Sequence, residues 1–139
     1  MTLPSPESAS TPERPVISAR DVANHLSQAS QTGQTLPADR AEPDDEVWLL
    51  DVREPHEFAA GHIDGAVTIP MGQLAARQDE LPHDRLIVCV CRSGNRSGMV
   101  TEALVRAGYQ AANMDGGMLA WAEAHLPYVD AHGGPGQVA

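Results

Sequence analysis

A chain of 139 residues can build one hydrophobic core but hardly two, so a single domain is expected. The formal net charge is −10 and all nine basic residues are Arg, which argues against electrostatic binding to nucleic acid or to an acidic membrane surface. Two cysteines, spaced as Cys89-x-Cys91, make neither a disulfide framework nor a zinc site and fit a reducing compartment, expected to be the cytoplasm. The N-terminus has no basic stretch followed by an apolar run, so neither a signal peptide nor a membrane span is expected. Aromatic residues make up only 4% of the chain, so the core must rest on Val, Leu, Ile, Ala and Met.

Residues 1–15 are rich in Pro, Ser, Thr and Glu and are expected to form a disordered tail. Val16-Ile17 reads as a first strand. Ser18 with Asp21 three residues later has capping-box character and opens a helix over about 19–28. Residues 28–46 are polar and carry Gly33, Pro37 and Pro43, which predicts a long loop, read as a tolerated insertion more than as a functional flap. Val47 to Leu50 is a second strand, with Asp51 to Glu54 just past its end. Pro55 suits the first position of a short helix that Gly61 can end, and Ala66 to Ile69 makes a third strand. Between Pro70 and Leu81 a short helix carrying Leu74 is expected. Leu86 to Val90 is an uncharged, β-branched run of the kind covered on both faces in a parallel sheet.

Met99, Val100, Ala103, Leu104 and Ala107 recur at helical spacing, Glu102 stands four residues before Arg106, and Gly108 can end that helix. Ala111 to Met114 is a final strand, and Gly116-Gly117 turns into a helix with Leu119 and Trp121, ended by Pro127. The Gly pair invites a phosphate-loop reading, for which two glycines alone are weak evidence. Residues 131–139 are Gly-rich and expected to be a flexible tail, leaving a domain over 16–130. Strands alternating with helices imply an α/β fold, with a mainly parallel five-stranded sheet flanked by helices on both faces.

The stretch Cys91-Arg92-Ser93-Gly94-Asn95-Arg96-Ser97 then lies between a strand's carboxyl end and a helix N-terminus. Unpaired amides at a helix start carry partial positive charge. Ser93, Gly94 and Asn95 can turn successive amides inward as an anion-binding nest, and Arg92 and Arg96 add full charges. All of this favours thiolate over thiol, and lowering an ordinary cysteine pKa by about 2 units makes thiolate the major form at neutral pH. Cys91 therefore reads as a nucleophile; the plainer alternative is a small buried hydrophobe at a strand end. Cys89, two residues back on the same strand, reads as core more than as a resolving thiol. Asp51 and Arg53 lie where ligands bind in open α/β sheets, so Arg53 is a candidate substrate contact; more often such a pair fixes loops. His56 and His62 form no convincing metal triad.

Three segments in this order resemble rhodanese-like domains: the loop Cys91 to Ser97; Leu50-Asp51-Val52-Arg53-Glu54 running into Gly61-His62-Ile63-Asp64-Gly65-Ala66; and Asp115-Gly116-Gly117-Met118 followed by Trp121. The resemblance spans about residues 16–129. It implies a sulfurtransferase that carries sulfane sulfur as a persulfide on Cys91, taken from thiosulfate or a related donor and passed to cyanide or a thiol, with a protein thiol as one possible acceptor. Loop amides and Arg96 would stabilise the sulfur, Arg92 would bind the donor's sulfonate, and those two roles could be reversed. No cofactor or metal is implied. Cysteine phosphatases resemble the arrangement, but their loop has one more residue between Cys and Arg than the four here, and the shorter ring should fit a phosphoryl group poorly, so a phosphatase or arsenate reductase is the remoter alternative. A binding or regulatory module without turnover is the other alternative, against which the presence of Cys91 counts.

Overall fold

The computed structural model describes residues 15–35 and 47–138, with side chains described for 15–27 and 47–138. Five parallel strands form one sheet: β1 (Val16–Ile17), β2 (Val47–Asp51), β3 (Val67–Thr68), β4 (Leu86–Val90) and β5 (Ala111–Met114), in the order β1-β5-β4-β2-β3. The α-helices are α1 (Ala19–Thr35), α2 (Pro55–Ala60), α3 (Asn95–Arg106) and α4 (Gly117–Glu123). No described helix is long and apolar enough to cross a membrane.

The centre of the sheet is fixed by β4, whose Ile87, Val88 and Cys89 pair with Ala111, Ala112 and Asn113 of β5 while Leu86 to Val90 pair with Val47 to Asp51 of β2. Alternation along β4 divides the core in two. Ile87, Cys89 and Cys91 pack with Val100 and Leu104 of α3, Tyr109 and Leu50, whereas Val88 and Val90 pack with Val22 of α1, Met118 and Trp121 of α4, and Ile63. All of these are at most 9% exposed, so β4 is covered on both faces, as its uninterrupted apolar sequence requires.

Several elements depart from their sequence-based expectations. Helix α1 runs to Thr35, past the expected end at Gln28, so 28–35 is helical backbone and not loop. The polar segment Ser27–Thr35 contains no proline, and Pro37 is the first residue that must disfavour a helical predecessor. Residues 36–46, the remainder of the expected loop, and the expected N-terminal tail up to residue 14 lie outside the described residues. Instead of one helix, residues 70–81 carry two 3₁₀ turns, Met71–Gln73 and Gln78–Glu80, closed by short-range bonds such as Gln73 N–H to Pro70 C=O at 2.8 Å.

The C-terminal segment also differs: residues 131–138 dock on the domain. Ala131 N–H donates to Ala59 C=O (2.9 Å), Gln137 N–H donates to Ala60 C=O (2.8 Å), and Val129 forms isolated bridges with His62 and Pro135. Val138 packs against the cluster around Trp121. Glycine composition suggested a tail, but here it permits close approach: a Cβ on Gly61 would collide with the Gln137 backbone. Deleting residues 132–139, or replacing Gly61 by Ala, should therefore lower the melting temperature. A loss of about 1 to 2 kcal/mol corresponds to roughly 3 to 10 °C for a domain of this size, readable by differential scanning calorimetry. An unchanged melting temperature in both variants would show that the segment contributes nothing.

Candidate active site

Cys91 follows β4 directly, and its carbonyl group and that of Arg92 are bound from below by another helix start. Met118 N–H donates to Cys91 C=O (2.8 Å) and Leu119 N–H donates to Arg92 C=O (3.0 Å). Two amides of the first turn of α4 thus find partners in the loop. Gly117 makes this contact possible: a Cβ there would collide with the carbonyl groups of Cys91 and Arg92, and its φ of 61° is left-handed. The Gly116-Gly117 pair therefore supports the cysteine loop and is not itself a phosphate loop.

The loop turns at Gly94, whose φ of 101° is open to glycine and costly for other residues, and enters α3 at Asn95. The turn aims donors at the sulfur: Gly94 N–H at 3.1 Å, Ser97 N–H at 3.4 Å and the Ser97 hydroxyl at 3.2 Å from Cys91 Sγ. Burial pushes the Cys91 thiol up, but the Ser97 hydroxyl, followed by the amides of Ser97, Gly94 and Ser93, outweighs it, and the net shift is below the ordinary value. Cys89, fully buried two residues earlier, shows what burial does without such donors: it is pushed up to about 12, with only a Thr101 hydrogen bond opposing. A cysteine in β4 and one just past its end are thereby separated into an inert thiol and a polarised one.

The arginines are placed differently from one another. Arg92 is exposed, as are Ser93 and Asn95, whereas Ser97 is fully buried. Arg96 forms a two-point ion pair with Glu57 of α2, Nη1 to Oε1 at 2.9 Å and Nη2 to Oε2 at 3.1 Å. Much of its charge is spent there, so hydroxyl and amide donors, more than Arg96, account for the shift at Cys91. The sequence places Glu57 in the first turn of α2 but gives it no role at the cysteine loop. Glu57 also accepts from Glu54 N–H (2.9 Å), closing a capping box, and this three-residue spacing was the available signal.

Arg53 is not at the loop's mouth. It is completely buried, bonded through Nε and Nη2 to Asp51 at 2.9 and 2.8 Å and through Nη2 to Gly61 C=O at 2.8 Å. A fully enclosed guanidinium held in this way joins the end of β2 to the end of α2 and has no surface for a substrate, which corrects the expectation of a substrate contact. Asn113 was also missed. It is buried in β5, accepts from Ser97 Oγ through Oδ1 (2.5 Å) and donates through Nδ2 to Gly94 C=O (3.1 Å). A lone amide in the otherwise apolar run Ala-Ala-Asn-Met was its only trace in the sequence. Among the described residues, no group of three or more His, Cys, Asp or Glu is placed to hold a metal ion.

The model of the rhodanese-like domain matches residues 34–124. A sulfurtransferase of Allochromatium vinosum is 41% identical over 90 residues, covering 64% of this chain and 84% of that protein. The Bacillus subtilis protein YtwF, a candidate sulfurtransferase by name, is 42% identical over 83 residues, covering 60% of this chain and 81% of its own. Among solved structures, a rhodanese-related protein of Thermoplasma volcanium superposes with a TM-score of 0.63 at 27% identity, over 83% of this chain and 97% of that one.

The Glu57–Arg96 pair has a pH signature. The Arg96 hydrogen bonds hold the Glu57 carboxyl down at about 2, against an ordinary 4.5, although burial opposes them. With the folded value depressed, the pair's contribution is complete above about pH 4.5 and is lost as pH falls toward 2. Glu57→Gln should cost about 1 kcal/mol at pH 7, a modest figure because Arg96 is 36% exposed. The gap between variant and parent in urea unfolding should close progressively below pH 4.5; a gap independent of pH would refute the assignment.

Proposed function

Since the chain belongs to the rhodanese-like domain family, and sulfurtransferases of that family are among its relatives, we propose that it transfers sulfane sulfur by double displacement on Cys91. The observation that carries this reading is the convergence of two backbone amides and a hydroxyl on Sγ, with the sulfur at a strand's carboxyl end. In the first displacement the Cys91 thiolate attacks the outer sulfur of thiosulfate. The bond from that sulfur to the sulfonate sulfur breaks, and its electron pair leaves with sulfite, so Cys91 carries a persulfide. In the second, cyanide or an acceptor thiolate attacks the terminal sulfur and the pair returns to Cys91 as thiolate. Donors fixed around Sγ favour the anion that starts and ends the cycle. Arg92, exposed and next to Cys91 in the chain, would bind the sulfonate; Arg96, committed to Glu57, would hold the loop in shape. The reading needs no cofactor.

Treatment with thiosulfate should add one sulfur atom to the intact mass, reversed by cyanide with release of thiocyanate. Cys91→Ser should abolish the gain and Cys89→Ser should leave it intact, because the thiol at 89 is protonated and enclosed. Arg92→Ala should raise KM for thiosulfate more than it lowers kcat. An adduct on Cys89, or hydrolysis of an aryl phosphate outpacing sulfur transfer, would overturn the proposal.

A further inference from the structure

The Ser97 hydroxyl has one proton and two acceptors in reach, Cys91 Sγ at 3.2 Å and Asn113 Oδ1 at 2.5 Å. The amide cannot be turned round to relieve this, because its Nδ2 side faces Gly94 C=O at 3.1 Å, which requires a donor. Which acceptor wins depends on the charge of the sulfur. A neutral thiol or a sulfur bonded twice accepts weakly, so an amide oxygen takes the hydroxyl proton. A thiolate makes a charge-assisted bond roughly twice as strong and draws it away.

We infer that Ser97 is a two-position switch seated by Asn113: its hydroxyl donates to Cys91 while that sulfur is a thiolate and to Asn113 while the sulfur is neutral. Deprotonation of Cys91 then releases a proton to solvent, rotates the Ser97 O–H onto Sγ, and strips Asn113 Oδ1 of its donor inside a buried site. Asn113 therefore stabilises the neutral sulfur and holds the thiolate back from being too stable. That is useful in a nucleophile, because intrinsic reactivity falls along with pKa. Once Sγ has formed a second bond the hydroxyl swings back, so the same amide favours the loaded form. Asn113 is on this account a positioning residue that acts through Ser97. The inference deepens the sulfur-transfer reading and rests on it only for the meaning of the loaded form.

Other groups bear on the same titration. Arg96 with its partner Glu57 of α2, and Cys89 of β4, interact with the thiol or with its neighbours; the Asp51–Arg53 pair at the end of β2 lies farther off, acting on Arg96 and Glu57, and Arg92 in the loop and Asp115 after β5 are the remaining charges nearby in sequence. None of these groups is itself altered by a substitution at residue 113, and they are common to every variant compared.

The test is the thiolate absorbance of the full chain against pH, with Cys91→Ser as the blank. Asn113→Leu keeps the shape of the side chain and removes both polar ends; it should lower the Cys91 pKa by about 0.5 to 1 unit, the equivalent of one neutral hydrogen bond. Asn113→Asp, an anionic competitor for the hydroxyl, should raise it. Ser97→Ala should raise it as well, and adding Asn113→Leu to Ser97→Ala should produce no further shift. An unchanged or raised pKa in Asn113→Leu, or the same shift with and without Ser97, would overturn the switch. Should Asn113→Leu not fold, Asn113→Asp decides alone: a smaller rise in the Ser97→Ala background supports the switch and an equal rise refutes it. No sulfur donor is present in these titrations, so a protein that titrates as expected yet fails to take sulfur from thiosulfate would count against the proposed function and not against the switch.

Discussion

Everything around Cys91 follows from one constraint: a sulfur anion in a buried site must be met by donors already in place. Water cannot supply them where burial is pushing the thiol toward its neutral form, so the backbone does. Gly94 turns the chain so that its own N–H and that of Ser97 aim inward, and the Ser97 hydroxyl completes the set. The contrast with Cys89 shows the direction of the effect, since one residue lies in β4 and the other just past its end, both pack in the same cluster, and only the residue with the loop is drawn down.

A loop of amides is only as good as its supports, and three elements of the fold supply them. Helix α4 is entered through Gly116 and begins with Gly117, so that its first amides can reach the carbonyl groups of Cys91 and Arg92. Helix α2 sends Glu57 to Arg96, and α2 is in turn tied to β2 through Arg53 and Gly61, with the C-terminal segment lying across its end. Strand β5 contributes Asn113, which bonds to the loop's turn and to its last residue. The buried Asp51–Arg53 pair works at a distance from the sulfur: removing one partner of such a pair typically costs about 3 to 5 kcal/mol, so its role is to keep the end of β2 and the end of α2 together.

Features set by local sequence were legible before any coordinates. The five strands, the cysteine at a strand's carboxyl end and the helix after the loop each follow from a run of a dozen residues or fewer, where periodicity and glycine placement dominate. What local sequence does not display depends on distant partners. Arg96 shares a loop with the sulfur and interacts with it electrostatically, but its carboxylate partner Glu57 is 39 positions away in sequence. Arg53 was placed at a ligand-binding edge, correctly as to edge, yet its side chain turns inward to Asp51 and Gly61. The C-terminal segment looked like a tail because glycines bury little side chain; its attachment is made by backbone groups, which composition does not display. Asn113 needed the register of β5 against β4 before its neighbours could be named.

The central claim is that the fold itself, without substrate, holds Cys91 toward its thiolate form. Its most direct test is the pH titration of the thiolate absorbance of the unmodified protein, corrected with Cys91→Ser, before any donor is added. The account predicts a single titration below the ordinary thiol range, assigned to Cys91, with Cys89 silent until strongly alkaline pH. Titration of Cys91 at or above the value of a free cysteine would contradict it.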